Sequence, residues 1–211
     1  AQNGAITIDG NDSKDVTTIR LRGGASGDQT DANITIEDFD NLATIEVQGY
    51  FGDNSTEELA INDTGATTVI SKDTTDFNGD GAATLAFGDA TSLLFKLNSS
   101  AADADTGELI LGDMTANKAT SITLGGQDAA TNGSQYVGAI TTATLTANAL
   151  TTLTIDSNQG DITLPSVTAA KLTTITASGD NDVTITDGTT TVLNSIDASG
   201  QTGSVTIGAG I

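Results

Sequence analysis

The feature that most constrains this sequence is a repeat of about 21 residues in its last third, built from two interleaved strand patterns. The first pattern is an apolar-Thr-apolar triplet, found at Ile162-Thr163-Leu164, Val183-Thr184-Ile185 and Val205-Thr206-Ile207. The second is Leu-x-x-Leu/Ile, found at 150–153, 172–175 and 193–196. Both series have spacings of 21 and 22 residues and stay in phase, so they indicate one repeated structural unit.

The first two thirds of the chain carry looser copies of both patterns. Triplets recur at 34–36, 59–61, 85–87 and 109–111, at spacings of 25, 26 and 24 residues. The second pattern recurs at 16–19 and 42–45, with a weaker copy at 119–122. We therefore expect the ladders of the C-terminal third to extend toward the N-terminus.

Two short strands in each repeat of about 20 to 26 residues predict an all-β fold, a right-handed parallel β-solenoid or β-helix. Each coil would lay its strands on those of the next coil, which places Val183 directly between Ile162 and Val205. Alternation along the strand would turn these apolar residues inward and Thr184 outward. A β-sandwich is the alternative fold, since it also uses short, evenly spaced strands.

The regularity of the repeat divides the chain at about residue 138. Residues 1–138 are predicted to form irregular coils with longer loops, and residues 139–211 regular coils that continue the same solenoid. The insertions at 98–108 and 125–138 are rich in Ala, Asp, Gly, Ser and Asn, as surface loops are.

Composition excludes several classes of function. The chain has no Cys and no His, which removes the usual transition-metal ligands and every Ser-His or Cys-His catalytic arrangement. Seven Lys and Arg against 28 Asp and Glu give a net charge of −21, which argues against nucleic acid as a partner. No apolar run approaches the roughly 20 residues that span a bilayer, so we expect no membrane insertion. Few aromatic residues are present to hold a sugar, and we expect no enzymatic activity.

The strongest local signal for a ligand lies at residues 76–81, Asp-Phe-Asn-Gly-Asp-Gly. Oxygen ligands at Asp76, Asn78 and Asp80 followed by glycine match the first half of an EF-hand-type calcium loop. Position 12 of such a loop is Phe87 instead of a bidentate Glu, although Asp89 lies nearby. The alternative is a simple Asx-Gly turn between two coils.

Three further groups of carboxylates are predicted to bind calcium. The segment 179–185 resembles half of the Gly- and Asp-rich nonapeptide of RTX proteins, whose stacked turns hold Ca²⁺, and it supplies Asp180 and Asp182. The matching turn one repeat earlier supplies Asp161, and Asp103 with Asp105 forms a separate i, i+2 pair. The alternative is that these carboxylates only solvate a long surface.

The sister phrases Leu-Thr-Thr-Ile-Thr-Ala-Ser-Gly (172–179) and Leu-Asn-Ser-Ile-Asp-Ala-Ser-Gly (193–200) resemble bacterial surface-layer proteins, on a background rich in Thr, Ala, Gly and Asp. The similarity is to the Caulobacter and Campylobacter type, which is secreted by a type I route and related to RTX proteins. This resemblance implies an extracellular, calcium-dependent solenoid that assembles with copies of itself into a lattice on the cell surface. A cell-surface polysaccharide is a further candidate partner, and a repetitive adhesin segment is the alternative function.

Overall fold

The computed structural model describes residues 5–22, 33–48, 58–62, 65–72, 84–98, 109–111, 113–127, 140–158 and 160–211. Within these ranges the chain is all-β and forms a right-handed parallel β-solenoid, as the repeat predicted. Every strand pair among the described residues is parallel, which excludes the antiparallel β-sandwich. No helix long and apolar enough to cross a membrane occurs in these ranges.

The strands form two sheets that run along the solenoid. Sheet A has 11 strands: Ile6–Ser13 (β1), Ile34–Phe39 (β3), Glu58–Asn62 (β5), Thr84–Phe87 (β7), Leu109–Leu111 (β9), Met114–Thr115 (β10), Ile140–Thr142 (β12), Thr144–Thr146 (β13), Ile162–Thr168 (β15), Val183–Thr189 (β17) and Val205–Ala209 (β19). Sheet B has eight: Thr18–Arg22 (β2), Thr44–Gln48 (β4), Gly65–Lys72 (β6), Ala90–Asn98 (β8), Ser121–Gln127 (β11), Thr152–Asp156 (β14), Thr174–Gly179 (β16) and Ser195–Gln201 (β18). The apolar-Thr-apolar triplets lie within strands of sheet A, and each Leu-x-x-Leu/Ile pattern ends in the first residues of a strand of sheet B.

The register of the C-terminal coils confirms the prediction. Val183 pairs with Ile162 on one side and with Val205 on the other, so the three residues form one column. In sheet B, Leu153 pairs with Ile175, which pairs with Ile196. Buried and partly exposed residues alternate along these strands, because a pleated strand sends successive side chains to opposite faces. The result is a continuous aliphatic interior.

The looser copies of the triplet follow a different path. The triplets at 34–36, 59–61 and 85–87 pair in sequence, but Leu85 then pairs with Met114, whose column continues through Leu145 to Val167. The copy at 109–111 lies instead beside β12, which pairs with the first half of β15. Sheet A therefore contains two series of strands, a branching that the triplet spacing did not indicate.

Strand β15 joins the two series because it is long enough to pair with two short strands. Its residues Ile162 and Thr163 pair with β12, and residues 166–168 pair with β13. The alternation of burial breaks at Pro165 and Ser166, which are both only half-buried. Pro165 supplies no N–H to the ladder, and it lies between the segment of β15 that pairs with β12 and the segment that pairs with β13.

Sheet B shows a similar offset in its first coils. Ile45 pairs with position 69, which pairs with position 95 and then with Leu124. The column of Leu153 instead runs back through Ile122 to Leu93. The copies at 16–19 and 42–45 thus lie two residues away from the column that the copy at 119–122 shares with the regular ones. Because two residues preserve the side of the sheet, Ile45 still points inward and is fully buried.

The two predicted insertions begin later than expected. Asn98 is the last residue of β8, and residues 125–127 complete β11. Gly125 has a φ of 92°, which favours glycine in that strand. The remainder of each predicted loop, 99–108 and 128–138, lies outside the described residues.

Threonine hydroxyls connect the coils at the turn before sheet B. Thr120, Thr151 and Thr173 each donate a side-chain hydrogen bond to the backbone oxygen of the residue one coil earlier, at 3.0 to 3.3 Å. Backbone amides at the same positions donate to the same oxygens. In these three copies of the second pattern, the Thr that follows the first apolar residue therefore bonds to the preceding coil through both its amide and its hydroxyl.

Candidate functional site

The predicted ligands Asp161 and Asp182 occupy equivalent turns on adjacent coils, just before strands β15 and β17. The backbone N–H of Asp182 donates to Oδ1 of Asp161 at 2.9 Å, and the N–H of Ser204 donates to Oδ1 of Asp182 at 2.8 Å. Each carboxylate therefore caps the turn of the following coil through one oxygen. Both residues are exposed.

Asp180 lies in the same turn as Asp182 but bonds in a different direction. Its Oδ1 accepts a hydrogen bond from the hydroxyl of Thr202 at 2.7 Å, and the backbone N–H of Thr202 donates to the carbonyl of Gly179 at 2.8 Å. Asp180 and Thr202 therefore tie the turns of two consecutive coils together. Asp161 and Asp182 lie in equivalent turns of adjacent coils, and Asp180 lies in the same turn as Asp182.

A buried polar network lies behind this acidic corner and was not predicted. The hydroxyl of Ser157, which is fully buried, donates to the carbonyl of Asn181 at 2.9 Å and contacts the side-chain amide of Gln201. Nδ2 of Asn181 donates to the carbonyl of Ser157 at 2.6 Å. The network crosses three consecutive coils, so it fixes the position of the turns that carry the aspartates.

Gly179 provides the backbone conformation that brings this network together. Its φ is 125°, and a Cβ there would lie 2.6 Å from the carbonyl carbon of Ser157. Only glycine fits this turn without moving the neighbouring coil. The polar residues at 157, 181 and 201 recur at spacings of 24 and 20 residues, close to the repeat, and that spacing is the signal by which the sequence reveals them.

The remaining predicted ligands fall into two groups. Asp89 forms an ion pair with Lys118 of the next coil. Asp76, Asn78, Asp80, Asp103 and Asp105 lie outside the described residues, so their calcium sites stay predictions. Among the residues that the structure does describe, no three acidic side chains form a group close enough to hold one metal ion.

Ion pairs on the described surface run from coil to coil. Lys14 lies 3.5 Å from Asp40, and Arg20 pairs with Glu46, its direct neighbour in the ladder. Lys118 pairs in the same way with Asp89. Lys14, Arg20 and Lys118 therefore each pair with a carboxylate one coil away. The Lys14–Asp40 pair is exposed on both sides and contributes about 0.2 to 1 kcal/mol, whereas Glu46 in the Arg20 pair is mostly buried.

The apolar columns are exposed where the stack of described coils stops. Ile175, with coils on both sides, is 1% exposed, but Ile196 in the same column is 44% exposed. At the opposite end Ile6 is 37% exposed, and its partner Ile34 only 6%. Among the described residues the exposed large aliphatic side chains are Ile6, Val192 and Ile196.

Comparison with known proteins gives no family for this chain. No family model, no curated protein and no solved structure matches it. The class of protein is therefore the one that the fold defines, a parallel β-solenoid with an acidic surface.

Proposed function

We propose that this chain is a structural component of an extracellular surface layer, in which solenoid rods associate with copies of themselves and calcium stabilises the assembly. The protein acts as a spacer and a contact surface and has no catalytic role. Its partners are other copies of the chain, with a cell-surface polysaccharide as a candidate attachment point. The proposal takes its support from the charge arrangement of the stacked coils.

The single observation that supports calcium most is the stacking of like charges on adjacent coils. Asp9 pairs directly with Glu37 in the ladder of sheet A, and Asp161 and Asp182 occupy the same turn one coil apart. Coils are about 4.8 Å apart. Charges this close lie within the Debye length of about 8 Å at physiological salt, so monovalent ions screen them incompletely. A divalent cation between such carboxylates would convert repulsion into attraction.

The shortage of free cations strengthens this argument. The whole chain has only 7 Lys and Arg for 28 acidic residues, and three of these cations are already paired on the described surface. Bound Ca²⁺, an oxygen-seeking ion with flexible geometry, suits carboxylates from successive turns. Stability that rises with calcium is the expected consequence.

Calorimetric melting with calcium, with magnesium and with EDTA tests the proposal. We expect the melting temperature to fall in EDTA and to recover with calcium, and Asp161→Asn combined with Asp182→Asn to reduce the recovery. Asp113→Asn, an exposed carboxylate on another coil, is the matched control and should leave the recovery unchanged. A melting temperature that ignores chelator would remove calcium from the proposal.

Electron microscopy separates the lattice from the adhesin alternative. Purified protein that forms ordered two-dimensional sheets on addition of calcium supports the surface layer. Calcium-bound monomers that stay dispersed but adhere to cells or immobilised glycans would support an adhesin segment instead.

A further inference from the structure

We infer that the turn that carries Lys171 binds the acidic corner of a second copy of this chain, so that solenoids associate side by side. The acidic corner is formed by the turns that carry Asp161, Asp180 and Asp182. The inference rests on the proposed self-assembly and deepens it by naming a lateral contact. Both surfaces lie along the sides of the solenoid, and the coil of Lys171 has a further coil on either side.

Charges in the regular coils are segregated to opposite edges of the solenoid. Residues 139–211 contain six Asp and a single cation, Lys171. The three turns that lead from sheet A into sheet B, at 147–151, 169–173 and 190–194, contain this lysine and no acidic residue. The turns that lead back from sheet B into sheet A carry the acidic corner. Each copy therefore presents a cationic edge and an anionic edge that are complementary between copies.

Lys171 is available to a partner from another molecule. Among the described residues, Lys14, Arg20 and Lys118 each pair with a carboxylate of their own chain, whereas Lys171 forms no such pair. Lys171 is exposed although β14 and β18 lie on either side of its own coil. The position therefore faces sideways, and only a neighbour beside the solenoid can cover it.

The path of the chain sets Lys171 at a level between two carboxylates. Asp161 and Asp182 are one coil apart, since β15 and β17 pair in direct register, and Lys171 lies near the middle of that coil. A coil rises about 4.8 Å, so Lys171 lies about 2.4 Å from the level of each carboxylate. A second copy placed alongside at the same level presents both carboxylates to the ammonium group. Asp180 adds a third negative charge from the turn of Asp182.

Hydrogen bonds between coils hold both surfaces in place. The carboxylates of Asp161 and Asp180 each accept a hydrogen bond from the next coil, at 2.9 and 2.7 Å. On the opposite edge, the hydroxyl of Thr191 donates to the carbonyl of Ala170 at 3.0 Å and ties the turn of Lys171 to the turn after it. Groups fixed in this way lose little conformational entropy when they bind.

An exposed apolar side chain lies beside the lysine. Val192 takes the position of Lys171 one coil further on and is 49% exposed. A neighbour that contacts Lys171 therefore also covers Val192, and the apolar area removed from water adds to the attraction between charges.

Calcium and Lys171 complement each other at the acidic corner. Asp161, Asp180 and Asp182 carry three negative charges, of which one bound Ca²⁺ would neutralise two. Lys171 of the neighbour would neutralise the third. The contact joins two different edges, so it is heterologous, and its repetition by translation gives an open row of parallel solenoids. Such a row supplies one of the two directions that an ordered sheet requires.

Disulfide trapping tests the contact, because the chain contains no cysteine. Ala170 and Asn158 are exposed and lie in the turns of Lys171 and Asp161. Within one chain the seven residues of β15 separate them by roughly 20 Å, too far for a bridge. We expect Ala170→Cys/Asn158→Cys, oxidised with diamide in calcium or in EDTA, to give a ladder of covalent oligomers on a non-reducing gel. The control Ala170→Cys/Thr186→Cys, whose second cysteine is exposed within β17, should give no ladder.

Sedimentation velocity of charge variants provides an independent test. Lys171→Glu should weaken self-association at least about tenfold, since it places a glutamate against three carboxylates. Lys171→Arg should associate as wild type does, because it keeps the charge. Lys118→Glu is the matched control on the same edge and should leave association unchanged, since Lys118 already pairs with Asp89 of its own chain.

Three results would overturn the inference. These are a monomer at all concentrations up to about 100 μM in both buffers, equal cross-linking of both cysteine pairs, or equal weakening by the two glutamate variants. Circular dichroism melting of each variant separates a lost contact from a lost fold. Association that depends on Lys171 while the melting temperature ignores calcium would sustain the inference and defeat the calcium part of the proposed function. Calcium-dependent sheets that persist in Lys171→Glu would sustain the proposed function and defeat this contact.

Discussion

Thr142 offers a test of how polar groups are accommodated in the aliphatic interior. The residue is fully buried, and its Oγ1 has no hydrogen-bond partner among the described residues. An unsatisfied buried hydroxyl costs about 1 to 3 kcal/mol. Valine has nearly the same shape without the polar atom, so Thr142→Val should raise the free energy of unfolding by about that amount. At this chain length each kcal/mol corresponds to about 2 to 4 °C in melting temperature.

Thr151→Val is the matched control, with an expected change of opposite sign. The hydroxyl of Thr151 donates to the backbone oxygen of Thr120 at 3.0 Å, and such a bond contributes about 0.5 to 1.5 kcal/mol. Thermal melting of both variants, followed by circular dichroism near 218 nm, measures the two shifts under one set of conditions. If Thr142→Val lowers the melting temperature as Thr151→Val does, the hydroxyl of Thr142 has a partner and the reasoning is wrong.

Three further predictions concern the column, the acidic corner and the last coil. Ile175→Ala should lower the free energy of unfolding in urea by about 2 to 5 kcal/mol. Ile196→Ala should lower it clearly less, because Ile196 is already 44% exposed whereas Ile175 is 1% exposed. Equal losses for the two variants would contradict this difference in burial. Gly179→Ala should cost at least about 2 kcal/mol, since alanine adds backbone strain and a clash with Ser157 of the preceding coil. An unchanged urea midpoint would contradict the backbone conformation described for Gly179. NMR titration should give Asp197 a pKa below the ordinary 3.8, so its contribution to stability is complete above that pH and is lost as the pH falls through the lower folded value. Ser199→Ala should move this pKa upward, and no movement would show that the side-chain bond is absent.

The candidate site was only partly readable from the sequence. The repeat placed Asp161 and Asp182 in equivalent turns, and the structure has them there. It did not indicate that each carboxylate caps an amide of the next coil, nor that Ser157 lies buried behind them. Those relations join residues more than 20 positions apart, and only the stacking distance decides which atoms meet.

The amino-acid sequence by itself determined the strand type, the period of the coils and the inward face of each regular strand. Alternating aliphatic and Thr residues suffice for this, because burying one face of a strand fixes which residues point inward. Tertiary structure alone decided which column each looser copy joined. A triplet such as Leu109-Ile110-Leu111 satisfies either series of sheet A equally well, since both offer an apolar groove. The two series meet at β15, which pairs with β12 and β13 at once, and no local pattern of apolar residues encodes that pairing.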